Sequence, residues 1–142
     1  MQNSYDIALI NANKLDQLIS HVAVYEIFSS SRIEAFDSVS EAMDFFFKKE
    51  FFPDLVILDL NIGELSGKAF ITLMKNSRKL DSTPIIILSN HGDEREFLNW
   101  GANGFYKRPD DFNSIMNVLE EVRYRWFSNV EALHLLRDIS FQ

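Results

Sequence analysis

The chain has 142 residues, 46% of them hydrophobic and 25% charged, with a formal net charge of −7 and no cysteine. That length suits one domain, which buries roughly 68–70% of its unfolded surface and needs no covalent staple. Disulfides and thiolate chemistry are excluded, a cytoplasmic location is favoured, and the acidic balance argues against a nucleic-acid surface. The histidines His21, His91 and His134 share no zinc-ligand spacing. No apolar run approaches the roughly 18 residues of a membrane span. Residues 1–5 lack the basic-then-apolar layout of a signal peptide. The 13 phenylalanines, clustered at Phe45–Phe47 and Phe51–Phe52, are expected to fill the core.

In chain order, Ile7–Ile10 is a short apolar run broken by Asn11-Ala12-Asn13. Leu15, Leu18, Ile19, Val22 and Tyr25 follow at helical spacing. Ile33–Phe36 reads as a weak strand. Ser38 and Glu41 then have capping-box spacing and open a helix carrying Ala42, Met43, Phe46 and Phe47. Leu55–Leu58 and Ile85–Leu88 are uninterrupted apolar runs, the pattern of strands covered on both faces. Between them Ala69, Phe70, Leu73 and Met74 form a helical stripe. A short helix spans about Asp93–Trp100 and stops at Gly101. Phe105-Tyr106 suggests a fifth strand ending before Pro109. Asp110 or Asp111 caps a long last helix with Ile115, Val118, Leu119, Val122 and Trp126 on one side. Ser128 and Glu131 mark the start of a short extra C-terminal helix, with Val130, Leu133, Leu136 and Ile139 on one face. The reading is α/β: a doubly wound five-stranded parallel sheet over residues 5–127, and a helical extension over 128–142.

In an open parallel sheet, ligands bind beyond the carboxyl ends of the strands. Those ends are Asn11-Ala12, Asp37, Asp59, Ser89 and Lys107-Arg108-Pro109. A carboxylate after four aliphatic residues is costly to bury unless something uses it. A carboxylate flanked by a hydroxyl and a cation suits an aspartyl-phosphate. It suits equally a loop-capping Asp59 and a helix-capping Ser89.

Three stretches resemble the receiver domain of two-component response regulators. They are Pro53–Asn61 with Gly67 beyond, Pro84–Ser89, and Gly101–Phe105. The resemblance implies the flavodoxin-like strand order 2-1-3-4-5. It implies Asp59 as phospho-acceptor, Ser89 as a donor to the phosphoryl oxygens, and Phe105 as the aromatic that moves with it. It further implies a signalling module rather than an enzyme, with a sensor histidine kinase or another signalling protein as partner.

The departures make this an atypical member. The acidic pair that holds Mg²⁺ in the family falls on Asn11 and Ala12. Mg²⁺ wants carboxylate oxygens, so the residual ligands would be Asp59, Asn61 and Asn11, with Asn13 in reach, and binding is expected to be weak or absent. The family's lysine before its proline is Arg108 here, placed to form a two-bonded ion pair with Asp59. Lys107 should face the other way unless a bulge turns it inward. The resemblance implies a cis bond before Pro109. Asn90 follows Ser89 where a small residue is usual, and Gly63 stands where proline is usual.

Three functions stay open at this point. One is a single-domain receiver with a degraded metal site, acting through protein–protein contacts. The second is an ordinary Mg²⁺-dependent receiver phosphorylated by a histidine kinase. The third, an Asp-nucleophile phosphohydrolase, is weakened because Asp59-Leu60-Asn61 lacks the second acid of Asp-x-Asp. About fifteen residues after Phe127 cannot hold a DNA-binding domain, so output is expected through a partner, a homodimer or domains beyond this sequence. The Arg123–Phe127 stretch, rich in cations and aromatics, reads as a solvated helix end or a protein-docking patch, not a nucleic-acid site.

Overall fold

A computed structural model describes the backbone of residues 4–60 and 64–140, and side chains for the same residues other than 64, 65, 134 and 137–140. Five strands and five helices alternate: β1 (Asp6–Ile10), α1 (Lys14–Ile27), β2 (Arg32–Phe36), α2 (Val39–Lys48), β3 (Leu55–Leu60), α3 (Glu64–Lys75), β4 (Ile85–Ser89), α4 (Glu94–Trp100), β5 (Gly104–Lys107) and α5 (Phe112–Ser140). The sheet is parallel in the order β2-β1-β3-β4-β5. β3 and β4 are buried along their whole length, as their unbroken apolar runs require.

Two cores form, one on each face of the sheet. One gathers Phe36, Phe46, Phe51, Phe70 and Phe97 under α2, α3 and α4. The other gathers Tyr5, Phe28 and Phe127 with Leu119 and Val122 under α1 and α5. Most of the described phenylalanines thus serve as core volume, many in edge-to-face or tilted pairs, whereas Phe47 and Phe112 are exposed.

The caps follow the sequence chemistry. Ser38 accepts from the Glu41 amide at 3.1 Å, Asp93 from Glu96 at 2.8 Å, and Asp111 from Ser114 at 2.8 Å. Gly101 closes α4 in the left-handed conformation at φ 112°.

Two expectations change. The C-terminal helix exists, but as a continuation of α5 rather than a separate element: the 29-residue helix passes through Ser128 without a break. No glycine or proline interrupts it, and Glu131 ties its far part to the domain by accepting from Arg123 Nε at 2.9 Å and from the Tyr5 hydroxyl at 3.2 Å. The second change concerns α1. It buries Ser20, Ala23, Val24 and Ile27, and turns Leu15, Leu18, Val22 and Tyr25 outward, between 46% and 66% exposed. Small and β-branched residues let α1 sit close to the sheet, so the larger stripe faces solvent.

Candidate functional site

The strand ends converge as parallel packing demands. β3 carries Asp59 to the carboxyl edge of the sheet, paired in register with Leu88 of β4. β1 delivers Asn11 beside it, fully buried. Gln17 of α1 donates to the carbonyls of Asn11 and Phe36, at 3.1 and 2.9 Å, and so ties off both strand ends. The Arg108 amide donates to the Ser89 carbonyl at 3.1 Å, which extends the β4–β5 ladder by one residue and sets the Arg108 side chain over the edge.

Asp59 is the centre. Its side chain is only 3% exposed. Oδ2 accepts from Asn11 Nδ2 at 2.9 Å and lies 3.3 Å from Arg108 Nε. Oδ1 is buried and has no hydrogen-bond partner. Burial pushes the carboxyl up to about 6, against the pull of the Arg108 guanidinium, and the Asp16 carboxylate adds to the rise.

The cation is Arg108, as the resemblance placed it, and Lys107 is exposed. The pairing differs from the expected two-bonded grip on Asp59. Arg108 Nε meets Asp59, while Nη2 meets Oδ2 of Asp16, in the first turn of α1. Sequence reasoning passed over Asp16. Its only signal is its place three residues after the helix-capping Asn13, whose side chain accepts from the Asp16 amide at 3.0 Å. That spacing reads as ordinary helix-end chemistry.

Asn13 is thereby committed as a cap. Asn11 Oδ1 accepts from the Asn13 amide at 2.9 Å, which leaves Asn11 Nδ2 to face Asp59. The residue in the acidic position therefore presents a donor, and the Ala12 side chain has no ligand atom. Asn61 lies outside the described residues. An amide N–H, a guanidinium and one buried carboxylate are a poor donor set for Mg²⁺. Among the described residues no three His, Cys, Asp or Glu side chains cluster as a metal site.

Ser89 is buried at the same edge, but its hydroxyl donates to the His91 carbonyl at 2.8 Å and accepts from the His91 amide at 3.1 Å. It closes the turn into α4 and makes no hydrogen bond to Asp59. Phe105 is half-buried, its ring 5.2 Å from that of Phe97, which packs edge-on to Trp100 at 4.9 Å. The bond before Pro109 is trans, against the cis form that the resemblance implied. Trans is the lower-energy isomer of an X–Pro bond, and here it already delivers the Arg108 side chain to Asp59.

A cleft of about 370 Å³ opens over this cluster between α1 and the β5–α5 turn. Leu18, Ile19, Phe112 and Ile115 form apolar walls, and Asp59 and Arg108 are on its lining. No described helix is long and apolar enough to cross a membrane.

Known proteins share this fold. Among solved structures, the phosphorylated cyanobacterial phytochrome response regulator RcpA superposes with a TM-score of 0.75 at 19% identity, covering 89% of this chain and 96% of that one. The chemotaxis response regulator CheY4 of Vibrio cholerae gives 0.70 at 16% identity, covering 84% and 99%. In sequence, the probable methanogenesis regulatory protein FilR2 of Methanothrix harundinacea is 22% identical over 132 residues, 88% of this chain and 85% of that protein. The transcriptional regulatory protein YdfI of Bacillus subtilis is 24% identical over 94 residues, 63% of this chain and 43% of that protein. The model of the response regulator receiver domain matches residues 14–120. The chain belongs to the response regulator receiver domain family of two-component signalling.

Proposed function

We propose that this receiver accepts a phosphoryl group on Asp59 with Arg108 as its main positive charge and little help from Mg²⁺. The observation that carries the reading is the buried Asp59 carboxylate, with Oδ2 held by Asn11 and Arg108 and Oδ1 unpartnered. The lone pairs of the unpartnered Oδ1 are the ones a nucleophilic carboxylate would use. In the step, Asp59 Oδ1 forms the O–P bond as the P–N bond of a phosphohistidine breaks, the imidazole nitrogen keeping the electron pair. The guanidinium stabilises charge on the transferring group. The Ser89 hydroxyl reaches the phosphoryl oxygens only by giving up its turn with His91, so its contribution follows transfer.

Output and input both run through protein surfaces in this reading. The outward stripe of α1, Leu15, Leu18, Val22 and Tyr25, borders the cleft above Asp59. It suits a helical partner that presents its phosphohistidine to the cleft mouth.

The test incubates the protein with beryllofluoride or phosphoramidate, with and without Mg²⁺, and follows residue 59 by mass and by NMR. An adduct at Asp59 whose yield barely depends on Mg²⁺ is expected. An adduct that forms only with stoichiometric Mg²⁺ would assign an ordinary metal-dependent receiver. None under either condition would remove Asp59 as acceptor.

A further inference from the structure

We propose that Asp16 is a positioning residue that keeps Asp59 reactive by dividing the grip of Arg108; this rests on Asp59 as the phospho-acceptor. The Nε–Nη2 edge of a guanidinium is the fork that takes one carboxylate with two parallel bonds. Here the prongs are split: Nε lies 3.3 Å from Asp59 Oδ2, and Nη2 meets Asp16 Oδ2. The division leaves the buried Asp59 Oδ1 without a hydrogen-bond partner. Without the Asp16 charge, the fork rotates fully onto Asp59. Both of its oxygens are then engaged, and the nucleophile is tied down. The two acids are suited to unequal roles. Asp59 is almost fully buried, whereas the Asp16 side chain is 40% exposed on the first turn of α1. Asp16 can therefore be changed without opening the core. It also sits on the lining of the cleft above Asp59, so anything bound there meets the residue that sets the state of Arg108.

The experiment measures the rate of Asp59 modification by phosphoramidate in wild type, Asp16→Asn, Arg108→Gln and the double variant. In this reaction the P–N bond breaks, ammonia leaves with the electron pair, and the acyl phosphate forms on Asp59. Asp16→Asn is expected to slow modification roughly tenfold, the effect of one added charge-assisted bond on the nucleophile. In the Arg108→Gln background the same change should alter the rate by less than about twofold, because the fork it restrains is gone. An unchanged or faster rate in Asp16→Asn overturns the proposal, and so does an equal drop in both backgrounds. The Arg108 Nε–Hε NMR resonance is a second readout that needs no chemistry. It should move in Asp16→Asn, and a fixed resonance overturns the proposal. If no variant is modified, the phospho-acceptor reading itself fails, and this resonance alone decides whether Asp16 holds Arg108.

Discussion

Replacing Asp59 with asparagine should stabilise the protein, by an amount that depends on pH in a calculable way. Asparagine keeps the shape and the acceptor for Asn11 Nδ2 but removes the charge. Burial raises the Asp59 carboxyl from its ordinary 3.8 to about 6. A raised acid binds its proton more tightly when folded, so stability is greatest below 3.8 and falls as pH rises through 6. The shift of about two units corresponds to about 3 kcal/mol at most. The side chain is 3% exposed, so solvent screening removes little of it. Linkage makes the stability gap between variant and wild type small at pH 4, larger at pH 5 and about 3 kcal/mol at pH 7.5. The upper figure corresponds to a Tm difference of up to about 10 °C for a chain of this length. Urea and thermal unfolding followed by circular dichroism, in chelator, measure the gap at each pH. The other titrating groups are the same in both proteins and cancel. A gap that stays constant from pH 4 to 7.5, or a less stable asparagine variant at pH 7.5, would refute the assignment of a desolvated, ionised Asp59.

Four further outcomes follow from named contacts. Arg108→Ala removes the main influence lowering the Asp59 carboxyl, so its titration, read by carbon NMR, should move up from about 6. The pair Asn11→Asp and Ala12→Asp replaces a donor and a methyl with two carboxylates. Mg²⁺ should then raise Tm in the variant by more than in wild type, by mass action on the folded state. Gly104→Ala would place a Cβ 2.6 Å from the Trp126 ring, forcing β5 and α5 apart. About 1–3 kcal/mol of stability should be lost, with a change in tryptophan fluorescence. Tyr5 is raised to about 12 by burial first and Glu131 second. Tyr5 should therefore titrate late in ultraviolet absorbance, as burial also makes Tyr106 do, and Glu131→Gln should bring Tyr5 back toward 10 while hydrogen exchange quickens along the far end of α5.

The architecture was readable because each strand carries its own signal. Leu55–Leu58 and Ile85–Leu88 can only be strands buried on both faces, and Ser38, Asp93 and Asp111 cap where their spacing places them. The site was readable as a set of strand ends, which brought Asp59, Asn11 and Arg108 together. What escaped was whatever depends on side-chain direction. Periodicity finds the stripe of α1 but not which side the sheet takes, and the small residues Ser20 and Ala23 won the interior. Residue type places a hydroxyl at Ser89 but not its rotamer, which the turn to His91 decides. Asp16 escaped because a carboxylate in a first helical turn has an ordinary explanation, and only the fold brings Arg108 to it from 92 residues away. Ser128 misled in the opposite sense: capping residues mark helix starts only where the chain leaves the helix, and here Glu131 holds it in.

On the proposed reading of Asp59 as phospho-acceptor with little metal help, charge arithmetic describes the site. The resemblance implies three carboxylates, one lysine and one divalent ion, which sum to zero. Here Asp16 and Asp59 stand against Arg108, a sum of −1. On that reading the two missing acids and the ion carry equal and opposite charge, so the resting site without metal stays within one charge of balance. The proposed transfer would break that balance, because a dianionic phosphoryl group would replace a singly charged carboxylate and take the sum to −2. One uncompensated charge about 4 Å from its nearest neighbour costs about 4 kcal/mol at the effective dielectric of a protein surface. The same cost applies to the product and, in part, to the transition state. The division of Arg108 between two acids then has a second use. When the phosphoryl group arrives, the guanidinium can leave the half-exposed Asp16 to water and turn both prongs to the new dianion. The carboxylate that water can best solvate is the one released, and it lies on α1, beside the apolar stripe that faces solvent.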